Sequence, residues 1–199
     1  MEASFFTRHP FAKDIFGIVI FVLCVVIGTV LINSFVFRSF NVVGPSMENT
    51  MFTGDRLIVD RLPVTWARLQ NKPYVPDRGQ IIVFKNPHYS RGIEDEYIVK
   101  RVIGMPGERV VLKNGFYTVY NNNNPNGFNP DAYNNGEPGS PTSGEVDTVV
   151  PEGELFVSGD HRQGSYSYDS RNGLGTIPFY DIIGPVGIRI FPFDEIRTF

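Results

Sequence analysis

Hydrophobic positions in this chain follow two different patterns. From Ile15 to Ile32 the sequence reads IFGIVIFVLCVVIGTVLI, an 18-residue run without a charge in which Thr29 is the one polar side chain. Continued through Asn33 to Phe37, the run has ample length at ~1.5 Å per residue for a hydrocarbon core of ~30 Å. The alternatives are a buried core helix and a cleaved signal peptide. The run exceeds the ~7–15 apolar residues of a signal-peptide core and no small-residue cleavage pattern follows it, which predicts an uncleaved membrane helix over residues 14–37. Arg8 and Lys13 precede it in a short tail, and Arg38 alone follows closely. The positive-inside rule then puts residues 1–13 in the cytoplasm and everything after Arg38 across the membrane.

Beyond Arg38 the pattern changes to runs of 4–8 residues rich in Val and Ile: DRLIVDRL, GQIIVFKNP, YIVKRVIG, ERVVLKNG, ELFVSGD and GPVGIRIF. Gly, Pro, Asn and Asp separate them. These are strand signatures, with no amphipathic helical segment of comparable strength. The expected fold is mainly β, a coiled-sheet or barrel-like domain over residues 38–199 on a single membrane helix. Residues 114–150 are dense in Asn, Gly and Pro and read as a long surface excursion, either a flexible lobe or a small cap, with one hairpin around Phe116 to Tyr120.

Composition narrows the function. A formal net charge of -3 and a pI near 5.6 argue against nucleic acid as a partner, because a phosphate-binding surface needs a basic excess. The mean hydropathy of -0.10 averages an apolar anchor with a polar domain. One Cys excludes an intramolecular disulfide framework and a multi-thiolate zinc site, and Cys24 lies within the span as an apolar packing residue. Three His that do not cluster imply no metal, and no organic cofactor is expected.

Three segments can carry chemistry. In FNVVGPSMENTMFTGDRLIVDR, Ser46 follows Gly44 and Pro45, eight residues beyond Arg38, so it sits near the membrane surface. A Ser in such a turn is ordinarily only a turn residue. The tight backbone would equally expose a hydroxyl and aim amide N–H groups at a carbonyl oxygen, as a nucleophile with an oxyanion hole requires. In DEYIVKRVIGMPGERV, Lys100 stands inside an apolar strand and alternates onto one face with Ile98 and Val102, while Arg101 shares the other with Val99 and Ile103. Lys100 reads either as an edge-strand charge that blocks pairing or, on a dry face, as a neutral amine fit to be a general base. In ELFVSGDHRQGSYSYDSRNGLG, Asp160, His161, Arg162, Asp169 and Arg171 crowd among Gly and Ser. That loop is either a solvated turn held by ion pairs or a brace for an active site. His161 invites a Ser-His-Asp reading, which no other segment supports.

Taken in order behind a membrane span, these segments resemble type I signal peptidase, a membrane-anchored serine endopeptidase with a Ser-Lys dyad. GPSMENTMFTGDRLIV resembles its nucleophile segment, YIVKRVIGMPGERV its lysine segment, and SGDHRQGSYSYDSR its Gly-Asp loop. The resemblance implies Ser46 as nucleophile, Lys100 as general base and Met47 packed beside the nucleophile, next to substrate. It implies an oxyanion site from the Ser46 amide and a donor at position 44. Some family members carry a hydroxyl there; Gly44 offers only its backbone or a water. The loop departs from the family's GDN-R-x-x-S-x-D-S-R pattern by His161 in place of Asn and by two extra residues. Aligned from Arg171, the hydroxyl that orients Lys100 is Ser167; aligned from Gly159, it is Ser165. Spacing to Asp169 and Arg171 favours Ser167, with Gly159, Asp160, Asp169 and Arg171 bracing the loop.

The implied activity is removal of signal peptides from exported preproteins at the outer face of the cell membrane, with the lipid bilayer as partner and the translocation machinery a candidate. Two other readings stand beside it. A self-cleaving repressor-type protease shares Ser-Lys chemistry but predicts a DNA-binding domain where the apolar run stands. A catalytically inactive, membrane-anchored β-domain acting as a binding protein is the other, and an acylating penem probe separates it from an enzyme.

Overall fold

The structure is a computed structural model that describes residues 10–92, 95–134 and 141–199. Arg8 and the rest of the tail before Pro10 lie outside the described residues, as do residues 135–140 of the Asn-rich excursion. The chain opens with helix α1 (Pro10–Phe35), whose 26 residues exceed the thickness of a bilayer core. Its most apolar 18-residue stretch has a mean hydropathy of 3.2, and none of that stretch is buried against the protein. The helix is long and apolar enough to cross a membrane. It ends two residues before the expected limit of Phe37. Val36 N–H still donates to Ile32 O, but Phe37 already pairs with Asp60 and Arg61 N–H donates to Val36 O, so sheet pairing takes over the chain.

The β-domain follows as β1 (Phe37–Asn41), β2 (Arg56–Asp60), helix α2 (Leu62–Leu69), β3 (Ile81–Lys85), β4 (Tyr97–Gly104), β5 (Arg109–Lys113), β6 (Phe116–Asn121), β7 (Asn124–Phe128), β8 (Val146–Val149), β9 (Glu154–Ser158), β10 (Ile177–Pro178), β11 (Ile182–Phe191) and β12 (Arg197–Thr198). The larger antiparallel sheet runs β1-β2-β11-β3-β4-β9-β10, with β12 added to β11. The first half of β11 pairs with β3 and the second half with β2, with register shifts along both ladders. Such shifts coil the sheet. Gly184 sits at the crossing, where a Cβ would overlap the Asp60 carbonyl. One side of the sheet buries Ile82, Phe84, Val102, Val157 and Ile182; the other buries Leu57, Val59, Ile81, Val83 and Val186.

The structure adds two features to the sequence expectations. The described part of the excursion belongs to a folded lobe: β5 precedes it, β6, β7 and β8 lie within it, and β7-β6-β5-β8 form a second sheet over Val110, Leu112, Tyr117 and Val119. Its Asn- and Gly-rich spelling hid β7 (NPNGF), whose Pro125 is tolerated because the strand lies at an edge. The domain also contains α2, which sequence periodicity missed because LPVTWARL is only eight residues long and rich in β-branched and proline positions.

Candidate active site

The Ser46 turn hangs between β1 and β2 and is pinned at both ends. Val42 N–H donates to Asp55 O and Gly54 N–H to Val42 O, while Asp55 accepts from Phe52 N–H and pairs with Arg189 at 2.9 Å. Gly44 has φ +89°, a conformation that side-chain-bearing residues rarely adopt, and its N–H donates to Thr53 Oγ1 at 3.0 Å. A glycine at 44 therefore follows from backbone geometry. Its amide is engaged with Thr53, so it is not the second oxyanion donor; among the described residues the Ser46 amide has no protein acceptor. Met47 turns inward to the core with Met51, Leu57 and Val83. It supports the turn from below instead of lining the cleft, because its apolar side chain is wholly buried there.

Lys100 reaches this turn from β4. The strand pairs with β3 from Tyr97 to Arg101 and with β9 from Arg101 onward, and Lys100, opposite Ile82, is buried with 2% of its surface exposed, where a charge that guards an edge would be solvated. The edge-charge reading of Lys100 thus fails. Its Nζ lies 2.7 Å from Ser46 Oγ and 2.7 Å from Val99 O. Burial pushes the ammonium down to about 8, against the upward pull of the Asp169, Asp160 and Asp95 carboxylates. Dry walls disfavour the charge more than those acids restore it.

The loop after β9 closes over the pair. His161 N–H donates to Ser46 O at 3.1 Å, and Gly159 packs where a Cβ would overlap both that carbonyl and Ser167 Oγ. Ser167 is fully buried, whereas Ser165 is exposed. The Ser167 hydroxyl donates to Asp169 Oδ2 at 2.7 Å, and among the described residues it makes no hydrogen bond to Lys100. Asp169 also accepts from Gly159 N–H at 2.9 Å and pairs with Arg171 through several contacts, the shortest 2.9 Å. His161 Nδ1 lies 3.1 Å from Pro45 O and its ring stacks on Tyr166 at 4.6 Å between centroids. His161 thus contacts the turn's backbone, which leaves Lys100 as the side chain bonded to Ser46 Oγ.

Sequence reasoning gave no partner to three members of this assembly. Arg101, next to Lys100, forms a bidentate pair with Asp160, which also accepts from Thr50 Oγ1 at 2.5 Å. Arg162 is completely buried, donating to Gly159 O and pairing with Asp131 of the small lobe at 2.6 Å. Arg101 had a signal, since two adjacent cations in an apolar strand cannot both be solvated. Asp131 had none, because its partner lies 31 residues away.

A cleft of 320 Å³ opens beside Ser46, with walls that include Val42, Gly44, Tyr97, Ile98, Val99 and Lys100. Residues Tyr97 to Lys100 pair with β3 on one edge, while β9 begins its pairing only at Arg101. The other edge of that segment therefore faces the cleft.

A buried lysine hydrogen-bonded to a serine on a tight turn, beside an open strand edge and behind a helix long and apolar enough to cross a membrane, suits a serine peptidase. The chain belongs to the family described as signal peptidase, peptidase S26, whose model matches residues 13–191. It is 36% identical over 186 residues to signal peptidase I of Bacillus licheniformis and 33% identical over 186 residues to that of Bacillus amyloliquefaciens, each alignment covering 88% of both chains. A crystal structure of a signal peptidase I from Enterococcus faecalis is similar at 27% identity and a TM-score of 0.41, over 56% of this chain and 96% of that one.

Proposed function

We propose that Ser46 is the nucleophile and Lys100 the general base of this signal peptidase, a serine endopeptidase that cleaves signal peptides from exported preproteins. The observation that carries the assignment is the 2.7 Å contact between Lys100 Nζ and Ser46 Oγ in a buried site. With the amine neutral, the contact reverses: the Ser46 O–H donates to Nζ. The hydroxyl then loses its proton to Lys100 as its oxygen attacks the scissile carbonyl. The developing oxyanion is held by the Ser46 amide N–H, and any further donor comes from a group other than the Gly44 amide. Lys100 passes its proton to the leaving amine and next activates the water that releases the acyl group.

The substrate's cleavage region lies extended along the open edge of Tyr97 to Lys100, gaining main-chain hydrogen bonds with shallow room for small side chains. Ser167 and Asp169 act on Lys100 at one remove: Ser167 fixes Asp169, and the Asp169 charge holds the amine's basicity within the useful range. In this reading α1 crosses the cell membrane with residues 1–13 in the cytoplasm and the β-domain on the outer side.

The test is cleavage of a preprotein by the purified full chain in detergent, with Ser46→Ala and Lys100→Ala variants. A loss of at least about 10³-fold in kcat/KM is expected for each. Near wild-type cleavage by either variant sinks the dyad.

A further inference from the structure

His161 grips the nucleophile turn twice. Its backbone N–H donates to Ser46 O at 3.1 Å, and its side-chain Nδ1 lies 3.1 Å from Pro45 O. The Glu48 carboxylate stands 3.5 Å from the same nitrogen. A carbonyl and an ionised carboxylate can only accept, so Nδ1 carries the hydrogen. Tyr166 holds the ring in place from the other direction, stacked on it at 4.6 Å between centroids and 24° between planes.

Pro45 O and Ser46 N–H belong to one peptide unit. The unit is trans, so carbonyl and N–H lie in one plane and point in opposite directions. A hydrogen bond that fixes the carbonyl therefore fixes the direction of the amide. It also polarises the unit and strengthens the N–H as a donor. That amide has no acceptor among the described residues, and Gly44, Pro45 and Ser46 all line the cleft. Its quality matters more in this chain because Gly44 has no hydroxyl to add and its own N–H is engaged by Thr53 Oγ1.

We propose that His161 is a positioning residue for the oxyanion site: by donating from Nδ1 to Pro45 O, it aims the Ser46 N–H into the cleft and raises its donor strength in the transition state. The inference rests on the reading of Ser46 as the nucleophile. His161 itself touches neither the substrate nor the reacting atoms; its action passes through one peptide bond. Glu48 and Tyr166 keep the imidazole in the orientation that this requires.

The full chain in detergent is tested as His161→Phe, His161→Ala and His161→Asn, with a preprotein substrate and two peptides that match its residues before the cut. One peptide ends in an aldehyde. Ser46 Oγ bonds to the aldehyde carbon while the hydroxyl proton passes to Lys100, which leaves the aldehyde oxygen in the oxyanion site. The other peptide ends in a carboxamide and only fills the cleft. The phenylalanine variant keeps a ring against Tyr166 but cannot donate, the alanine variant removes the ring without a clash, and the asparagine variant restores an N–H near the place of Nδ1. All three keep the backbone bond to Ser46 O. Expected for phenylalanine and alanine are a kcat about tenfold lower with KM within about twofold, aldehyde binding weakened about tenfold and carboxamide binding unchanged. Asparagine should recover most of both losses. Unchanged kcat and aldehyde affinity overturn the proposal. So does an equal weakening of both peptides, which would mean a change in cleft shape, or an asparagine variant no better than alanine. In each of those cases aldehyde binding that disappears in Ser46→Ala leaves the nucleophile standing; aldehyde binding that survives Ser46→Ala removes the nucleophile and the proposal with it.

Discussion

Lys100 owes its chemistry to a stability cost. Its folded-state value of about 8 lies below the 10.5 of an unburied lysine, so the unfolded chain binds the proton more tightly. The resulting destabilisation is fully present below about pH 8, shrinks as pH rises between the two values, and is gone above 10.5. Its size is of order 3 kcal/mol from the two values. A Lys100→Met variant in detergent should therefore unfold at a higher temperature than wild type at pH 7, with the difference vanishing toward pH 10.5, while losing activity. An unfolding midpoint below wild type at pH 7 would show that the amine's hydrogen bonds outweigh its desolvation. For the wild-type enzyme, kcat/KM should fall about tenfold per pH unit below about 8 as the base becomes protonated. A flat profile down to pH 6 would remove Lys100 as the base.

Among the elements, the loop after β9 depends on charges that are buried in pairs. Asp160 is 2% exposed, holds Arg101 through two contacts and accepts from Thr50 beside the Ser46 turn. Removing its carboxylate leaves a guanidinium without its counter-charge in a dry site, so Asp160→Ala should destabilise the fold by roughly 3–5 kcal/mol. The pair between Arg109 and Asp147 has equally short contacts but lies on the surface, with more than half of each side chain exposed. Solvent and salt screen it, and Arg109→Ala should leave the unfolding midpoint within measurement error of wild type. Chemical denaturation of both variants checks the contrast; equal losses would mean that burial does not set the value of these pairs.

At the scale of the whole molecule, the small lobe is tied to the site. Asp131, in the turn after β7, pairs with Arg162, which holds the Gly159 carbonyl next to the Ser46 turn and whose own carbonyl accepts from Arg171. An Asp131→Ala change, far from the nucleophile in sequence, should lower kcat/KM by about tenfold and speed amide exchange across residues 159–171. Unchanged exchange there would make the lobe independent of the catalytic loop. The other long-range tie is α2, which links the end of α1 to the core through Thr65 and Val64.

The long apolar helix, the main strands and the candidacy of Ser46 and Lys100 for the proposed dyad were legible in the sequence because each has a local signature. An 18-residue apolar run predicts a long apolar helix, alternation predicts a strand, and Gly-Pro before Ser favours a tight turn. What stayed hidden depends on distant partners. Lys100 reads as an edge charge until its burial is known, and Ser167 is separated from Ser165 only by which of them packs on Gly159. Met47 is apolar next to the nucleophile in sequence, yet alternation of direction in the turn sends it to the core. The lobe's strands were masked by Asn and Gly, whose local preference for turns yields to pairing with β5. Sequence thus determined which groups are available and where the long apolar helix lies. Tertiary structure decided which of them are dry, since burial by segments remote in the chain sets whether a lysine is a counter-ion or a base.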